Sequence, residues 1–292
     1  FRFKVITSEN YEDRLPVVLR DRTTPVQVPE VIGEAKLRSY QIKAIEAFLK
    51  PNDILSYFSI LRMATGSGKS IISAAIAKLL NVKTLFLVRG RALKDQTYGV
   101  YKLIFDNEDV GKIDAANWEP SKFTIASVDT LASRLKGEDS DEVKAFLSTI
   151  DFVISDEAHT ATSQTFMNVL NCITAPVRLG LSGTPLKKEE EKDLLLEAFC
   201  GPISHDVPAS LLQDEGHLSR ATLTNVVIDQ PRLDGLDYIA AKDILIINIC
   251  IGYISSSLSS PEEALPAVDP ISRTTFLKDK VFFLLFFLFF CL

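Results

Sequence analysis

Between residue 56 and about residue 200, short apolar runs alternate with segments whose apolar residues recur every three to four positions. The runs are too short for helices and read as buried strands, while the wider spacing reads as amphipathic helix. Tyr57–Leu61, Lys83–Val88, Phe123–Ala126, Phe152–Ile154 and Val177–Leu181 are the predicted strands. Lys69–Leu80 is a predicted helix with Ile72, Ile76, Leu79 and Leu80 on one face. Arg91–Ile104, a segment carrying Leu131 and Leu135, and Glu189–Phe199 are further helices, the last stopped by Cys200-Gly201-Pro202. Gly137–Asp141 reads as a charged turn. Strands separated in turn by helices predict an α/β fold, a parallel sheet flanked by helices.

Outside that block the pattern weakens. Residues 1–35 carry Pro16, Pro25 and Pro29 among valines and read as a short extended or strand-rich leader. Leu223–Ile228 reads as a strand and Asp243–Ile251 as a strongly apolar element, followed by a Ser- and Pro-rich stretch to Pro270. Val281–Leu292 is apolar throughout and holds six phenylalanines. A membrane-spanning helix needs about 20 apolar residues. This run is therefore read as an out-of-frame or truncated end in preference to a short anchor. The expected organisation is a leader over 1–35, one α/β domain over 36–220, and over 221–292 a linker with the incomplete or disrupted start of a second domain.

Composition narrows the function classes. The chain has 292 residues, 47% hydrophobic and 24% charged, which fits a globular protein with a substantial core. A net charge of −6 argues against an indiscriminate coat on polyanions but leaves room for one local basic groove. Cys172, Cys200, Cys250 and Cys291 lie far apart, as do His159, His205 and His217. That spacing suits reduced thiols and builds no zinc site. With no targeting signal to read, the expected setting is cytoplasmic, with no membrane partner.

The chemistry lies in two segments. Ala64-Thr65-Gly66-Ser67-Gly68-Lys69-Ser70 sits between a predicted strand and a predicted helix. A loop of small residues there leaves consecutive backbone N–H groups free to face phosphate oxygens. Gly66 and Gly68 permit the turns, Lys69 reaches the β and γ oxygens, and the Ser70 hydroxyl ligates Mg²⁺. The full phosphate-loop pattern asks for glycine at position 63, where this chain has Met63. The second segment is Ser155-Asp156-Glu157-Ala158-His159, at the end of a predicted strand. Asp156 is placed to hold Mg²⁺ and Glu157 to orient an attacking water, with His159 beside them. An ordinary strand-to-helix turn or a surface acidic pair explains either segment alone. Neither explains both, in this order and setting.

Further segments carry a family resemblance. Leu37-Arg38-Ser39-Tyr40-Gln41, Leu87 to Gln96, Ala126 to Leu131 and Leu181-Ser182-Gly183-Thr184-Pro185 accompany the two phosphate segments in order. With them, residues 36 to 220 resemble the first, RecA-like motor domain of superfamily 2 helicases and translocases, with the Asp-Glu-Ala-His form of motif II. A residue other than glycine at position 63 is ordinary in that family. The resemblance implies an ATP- and Mg²⁺-dependent motor in which Gln41 contacts the base and Thr65 to Ser70 hold the phosphates. It also implies a nucleic-acid groove across Arg89, Arg91, Ser127 and Thr130, coupled to the ATP site through Ser182 and Thr184. The Ser182–Pro185 segment and the stretch from Leu194 to Leu218 look more like phage UvsW-type and restriction-enzyme DNA helicases than spliceosomal RNA helicases. DNA is accordingly favoured over RNA, with oligomeric state left open.

Such motors also use an arginine-rich motif from a second domain, whereas past Arg220 this sequence has only Arg232 and Arg273. The sequence is therefore expected to be a fragment or disrupted copy, slow in hydrolysis by itself. Two alternatives accompany the motor reading: a non-catalytic, nucleotide-dependent nucleic-acid-binding module, and the motor part of a restriction complex.

Overall fold

Alternate residues of each central strand face opposite cores, which is why these strands read as nearly continuous apolar runs. The computed structural model describes residues 13–20, 25–50, 57–105, 109–186 and 190–219. In it β4 (Thr84–Val88) sends Phe86 and Val88 into one core and Leu85 and Leu87 into the other. β8 (Phe152–Asp156) divides Phe152 and Ile154 from Val153 in the same way. With β3 (Tyr57–Met63), β5 (Val110–Ile113), β6 (Trp118–Glu119), β7 (Phe123–Ser127), β9 (Val177–Ser182) and β10 (Ile203–Val207), they form a sheet ordered β10-β3-β9-β8-β4-β7-β5-β6. Every pairing is parallel except that of β6 with β5 at one edge.

Helices cover both faces. α1 (Val17–Arg20), α2 (Ser39–Leu49), α3 (Lys69–Leu80) and α4 (Arg91–Ile104) close the first core. The second is closed by α5 (Val128–Arg134), α6 (Ser140–Ser148), α7 (Gln164–Leu170) and α8 (Glu190–Cys200). The expected α/β architecture is the observed one. α3 and α4 keep their expected bounds, and Ile72, Ile76 and Leu80 are buried as the spacing required. Ser73, Ala74, Ala75 and Ala77 are buried too, because α2 and α4 pack on either side of α3.

Several elements depart from the sequence reading. The leader is not extended throughout: α1 follows Pro16, and Leu15 and Leu19 are buried against the first core. Arg14 anchors this segment, donating to Thr174 O, Thr174 Oγ1, Ile150 O and Asp151 Oδ1 at 2.8–3.2 Å. A short hairpin, β1 (Val31–Ile32) with β2 (Ala35–Lys36), follows. The charged turn ends sooner than expected, and Ser140 opens α6, which buries Val143, Phe146 and Leu147. β5, β6, β10, α7 and the short α9 (Ala209–Asp214) were not legible as elements. The expected elements within 221–292, and the apolar end, lie outside the described residues.

The register decides where chemistry can occur. Arg62 stands opposite Ser182, Leu181 opposite Asp156, Ser155 opposite Leu87, and Val88 opposite Ser127. Five parallel strands thus end together. The segments that follow β3, β9, β8, β4 and β7 meet on one edge, where ligands bind in open α/β sheets.

Candidate functional site

After Met63 the chain turns through Ala64–Gly68 and enters α3 at Lys69. Gly66 has φ +82° and Gly68 φ +80°, a conformation that side chains disfavour. A Cβ on Gly68 would also stand 2.6 Å from Gln41 Nε2, so space and conformation both require glycine there. Lys69, half-buried, donates from Nζ to Met63 O at 3.4 Å, which holds the ammonium against the start of the loop. Ser70 lies in the first turn of α3, and Thr65 is exposed.

Gln41 is placed beside this loop and is itself buried. Its Oε1 accepts from the Arg38 backbone N–H at 2.9 Å, and its Nε2 donates to Ser67 O at 3.2 Å. Tyr40 OH donates to the same Ser67 carbonyl at 2.9 Å. Both ends of the Gln41 amide are therefore taken up by protein. Tyr40, the sequence neighbour of Gln41, joins the site through this bond without a motif of its own. Its ring packs on His217 with centroids 5.3 Å apart, and Leu218 lies over Gly66.

β8 delivers the acidic pair. Asp156 is buried, its Oδ1 accepting from the Glu157 backbone N–H at 3.0 Å. Burial pushes its carboxyl up to about 6, an effect the Glu157 N–H and the Lys69 charge only partly offset. Asp156 makes no ion pair among the described residues. A desolvated carboxylate outside any ion pair among the described residues, on the same sheet edge as the Ser70 hydroxyl, is an oxygen donor that fits a hard divalent cation such as Mg²⁺.

Glu157 has φ +47° and ψ +54°, left-handed backbone in a residue that is not glycine. Strain of this kind costs on the order of 1–3 kcal/mol and concentrates at functional sites. It turns the chain at once into the 3-10 segment Ala158–Thr160. His159 Nδ1 then lies 3.2 Å from Glu157 Oε2 and 3.1 Å from Ser182 Oγ. Ser182 Oγ also accepts from the Thr184 backbone N–H at 3.2 Å. Glu157, His159, Ser182 and Thr184 form one connected group.

The strand-facing candidates are less tightly gathered. Arg89 is 40% exposed in its side chain and 3.8 Å from Asp129 Oδ1. Ser127 caps α5, its Oγ accepting from the Thr130 N–H at 3.5 Å. Arg91 opens α4, but its side chain lies outside the described residues.

The model of the family "Type III restriction enzyme, res subunit" matches residues 34–187. The chain belongs to that family. The match takes in α2, the Ala64–Ser70 loop, the acidic pair and the Ser182–Pro185 segment, and together with the helicase and translocase relatives it marks this region as the first RecA-like domain of a superfamily 2 helicase. A protein of Sulfolobus islandicus filamentous virus, provisionally named helicase 22, is 29% identical over 184 residues, 59% of this chain and 32% of its own length. The DNA 3'-5' translocase XPB2 of Sulfurisphaera tokodaii is 23% identical over 84% of this chain and 52% of its own length. The chain thus spans from about a third to about half of the length of these relatives. Among solved structures, the UvsW helicase from bacteriophage T4 is similar at 18% identity, with a TM-score of 0.48 over 69% of this chain and 68% of that one. Among the described residues, no helix is long and apolar enough to cross a membrane.

Proposed function

We propose that this chain binds Mg·ATP at Thr65–Ser70, hydrolyses it with Glu157 orienting the water, and couples that cycle to a strand of DNA. The observation that carries the reading is Asp156. It is a buried carboxylate without a cation partner among the described residues, held on the sheet edge that carries the phosphate loop. Ser70 and Asp156 would hold Mg²⁺ there, and the ion would supply charge neutralisation on the terminal phosphates. The chain's own groups do the rest. Lys69 compensates phosphate charge, the loop N–H groups cradle the oxygens, and Glu157 positions the nucleophile in the left-handed turn that His159 braces.

DNA is the favoured partner because the Sulfurisphaera tokodaii relative is named as a DNA translocase. The domain reading belongs to the same proposal: an ATP-binding domain over 36–220, with the following residues as linker and the start of a second domain. Steady-state ATPase measured with and without single-stranded DNA tests the whole. Turnover that rises with DNA and vanishes in Glu157→Gln supports it, and an ATPase indifferent to Glu157→Gln refutes it. The family's description also favours a second reading, the motor of a restriction complex. That reading requires DNA cleavage to appear when a nuclease or methylase partner is added.

A further inference from the structure

The order of the strands gives the phosphate loop two unlike sides. Asp156 and Glu157 follow β8, which lies beyond β9 on one side of β3, while β10 lies on the other side. A triphosphate on the loop after β3 turns its terminal phosphate toward the acidic pair. Its nucleoside therefore leaves on the β10 side, where α2 also packs.

Two residues line that side. The chain runs from β10 through α9 and turns at Gly216, φ +73°. The N–H groups of His217 and Leu218 then both bond Leu212 O, at 2.7 and 2.9 Å, and Leu212 is buried. This fixes the backbone of the pair. The His217 ring rests on Tyr40, 5.3 Å between centroids with the planes 51° apart, and its Nε2 stands 3.6 Å from Glu215 Oε2. Tyr40 is tied to the loop in turn through the Ser67 carbonyl. A Cβ added at Gly66 would stand 2.9 Å from Leu218 Cδ2, so Leu218 touches the loop itself. The side is open to a ligand: 30% of the His217 side chain is exposed, and Thr65 and Gly66 are exposed beside it.

Gln41, on the same side, spends its amide on Arg38 and Ser67. What remains beside the loop is an aromatic ring and a branched apolar side chain, both held in place. Together they match the flat face of a nucleobase and the apolar side of its ribose. Resting on the Mg·ATP reading above, we propose that His217 and Leu218 form the nucleoside wall of the site, the imidazole stacking on the base and Leu218 packing against the ribose. Stacking meets the face of a base rather than its edge. The wall therefore favours a nucleotide over bare triphosphate without choosing among bases.

Calorimetry of the 292-residue chain with Mg·ATP, Mg·GTP and magnesium triphosphate tests the wall. His217→Ala is expected to weaken ATP and GTP alike by about tenfold and to leave triphosphate unchanged. His217→Phe keeps a ring to stack on and should stay within about twofold of wild type for all three ligands. Leu218→Ala should weaken both nucleotides by about threefold, again sparing triphosphate. An equal loss for triphosphate would show that the pair braces the loop, and unchanged or tighter ATP that it makes no favourable nucleoside contact. A loss confined to one base would show edge reading. Each of these overturns the wall while leaving the Mg·ATP reading in place. A wild-type chain that binds neither nucleotide nor triphosphate defeats that reading, and the wall falls with it.

Discussion

His159 and Ser182 stand 3.1 Å apart, Nδ1 to Oγ, and this contact joins the turn after β8 to the end of β9. Glu157 lies on one side of the pair, 3.2 Å from His159. On the other side Thr184 begins the departure from the sheet, its N–H bonded to the same serine oxygen. A displacement of the Ser182–Pro185 segment therefore reaches Glu157 through two side chains, with no backbone rearrangement needed.

Ser182→Ala removes the centre of that group and leaves the phosphate loop untouched. Mg·ATP affinity by calorimetry should match wild type, while the DNA-stimulated part of hydrolysis should fall by about tenfold or more. Equal loss of basal and stimulated rates would instead place Ser182 in the chemical step.

Gln41 distinguishes bracing from base contact. Its amide is occupied by Arg38 and Ser67, so Gln41→Ala should loosen the loop and weaken inorganic triphosphate and ATP alike, each by about three- to tenfold. A contact to the base predicts a different pattern: weaker ATP, unchanged triphosphate. Competition binding with the two ligands resolves the question.

The strained residue carries its own prediction. Glu157→Gln keeps the left-handed turn and should retain ATP affinity while abolishing turnover. Glu157→Gly relaxes the backbone, so thermal unfolding should show stability gained, on the order of 1 kcal/mol, alongside lost activity. A destabilised glycine variant would show that the His159 contact outweighs the strain.

Asp156 sets a pH dependence. Its carboxyl titrates at about 6 in the folded protein rather than at the ordinary 3.8. Below 3.8 both folded and unfolded chains hold the proton, and the group takes nothing from stability. As pH rises from there to about 6 the unfolded chain releases its proton first, so the ligand-free protein loses stability across that window. Above it the cost is constant, on the order of 2–3 kcal/mol. Asp156→Asn should therefore raise the melting temperature of the ligand-free protein at pH 7.5 and leave it little changed near pH 4. Mg·ATP affinity of the wild type should fall as pH drops below about 6, because protonated Asp156 no longer ligates the cation.

The central strands, helices α3 and α4 and the two segments proposed to handle phosphate are legible in the residue pattern alone. Their reasons are local. A strand buried on both faces is apolar at most positions, an amphipathic helix repeats every 3.6 residues, and a phosphate loop favours glycine where φ is positive. The rest depends on contacts between distant parts of the chain. Val110–Ile113 contains Gly111 and Lys112 and became a strand because β7 offered it a parallel partner. Ser140–Ser148 became a helix because Val143, Phe146 and Leu147 found the second core. Nothing near Gln41 in the sequence shows that the carbonyl of Ser67 takes its amide, or that Tyr40 shares it. Nothing near His159 shows that Ser182 stands opposite. Those contacts follow from parallel register, which aligns the ends of strands far apart in the chain, and register is a property of the whole sheet rather than of any one segment.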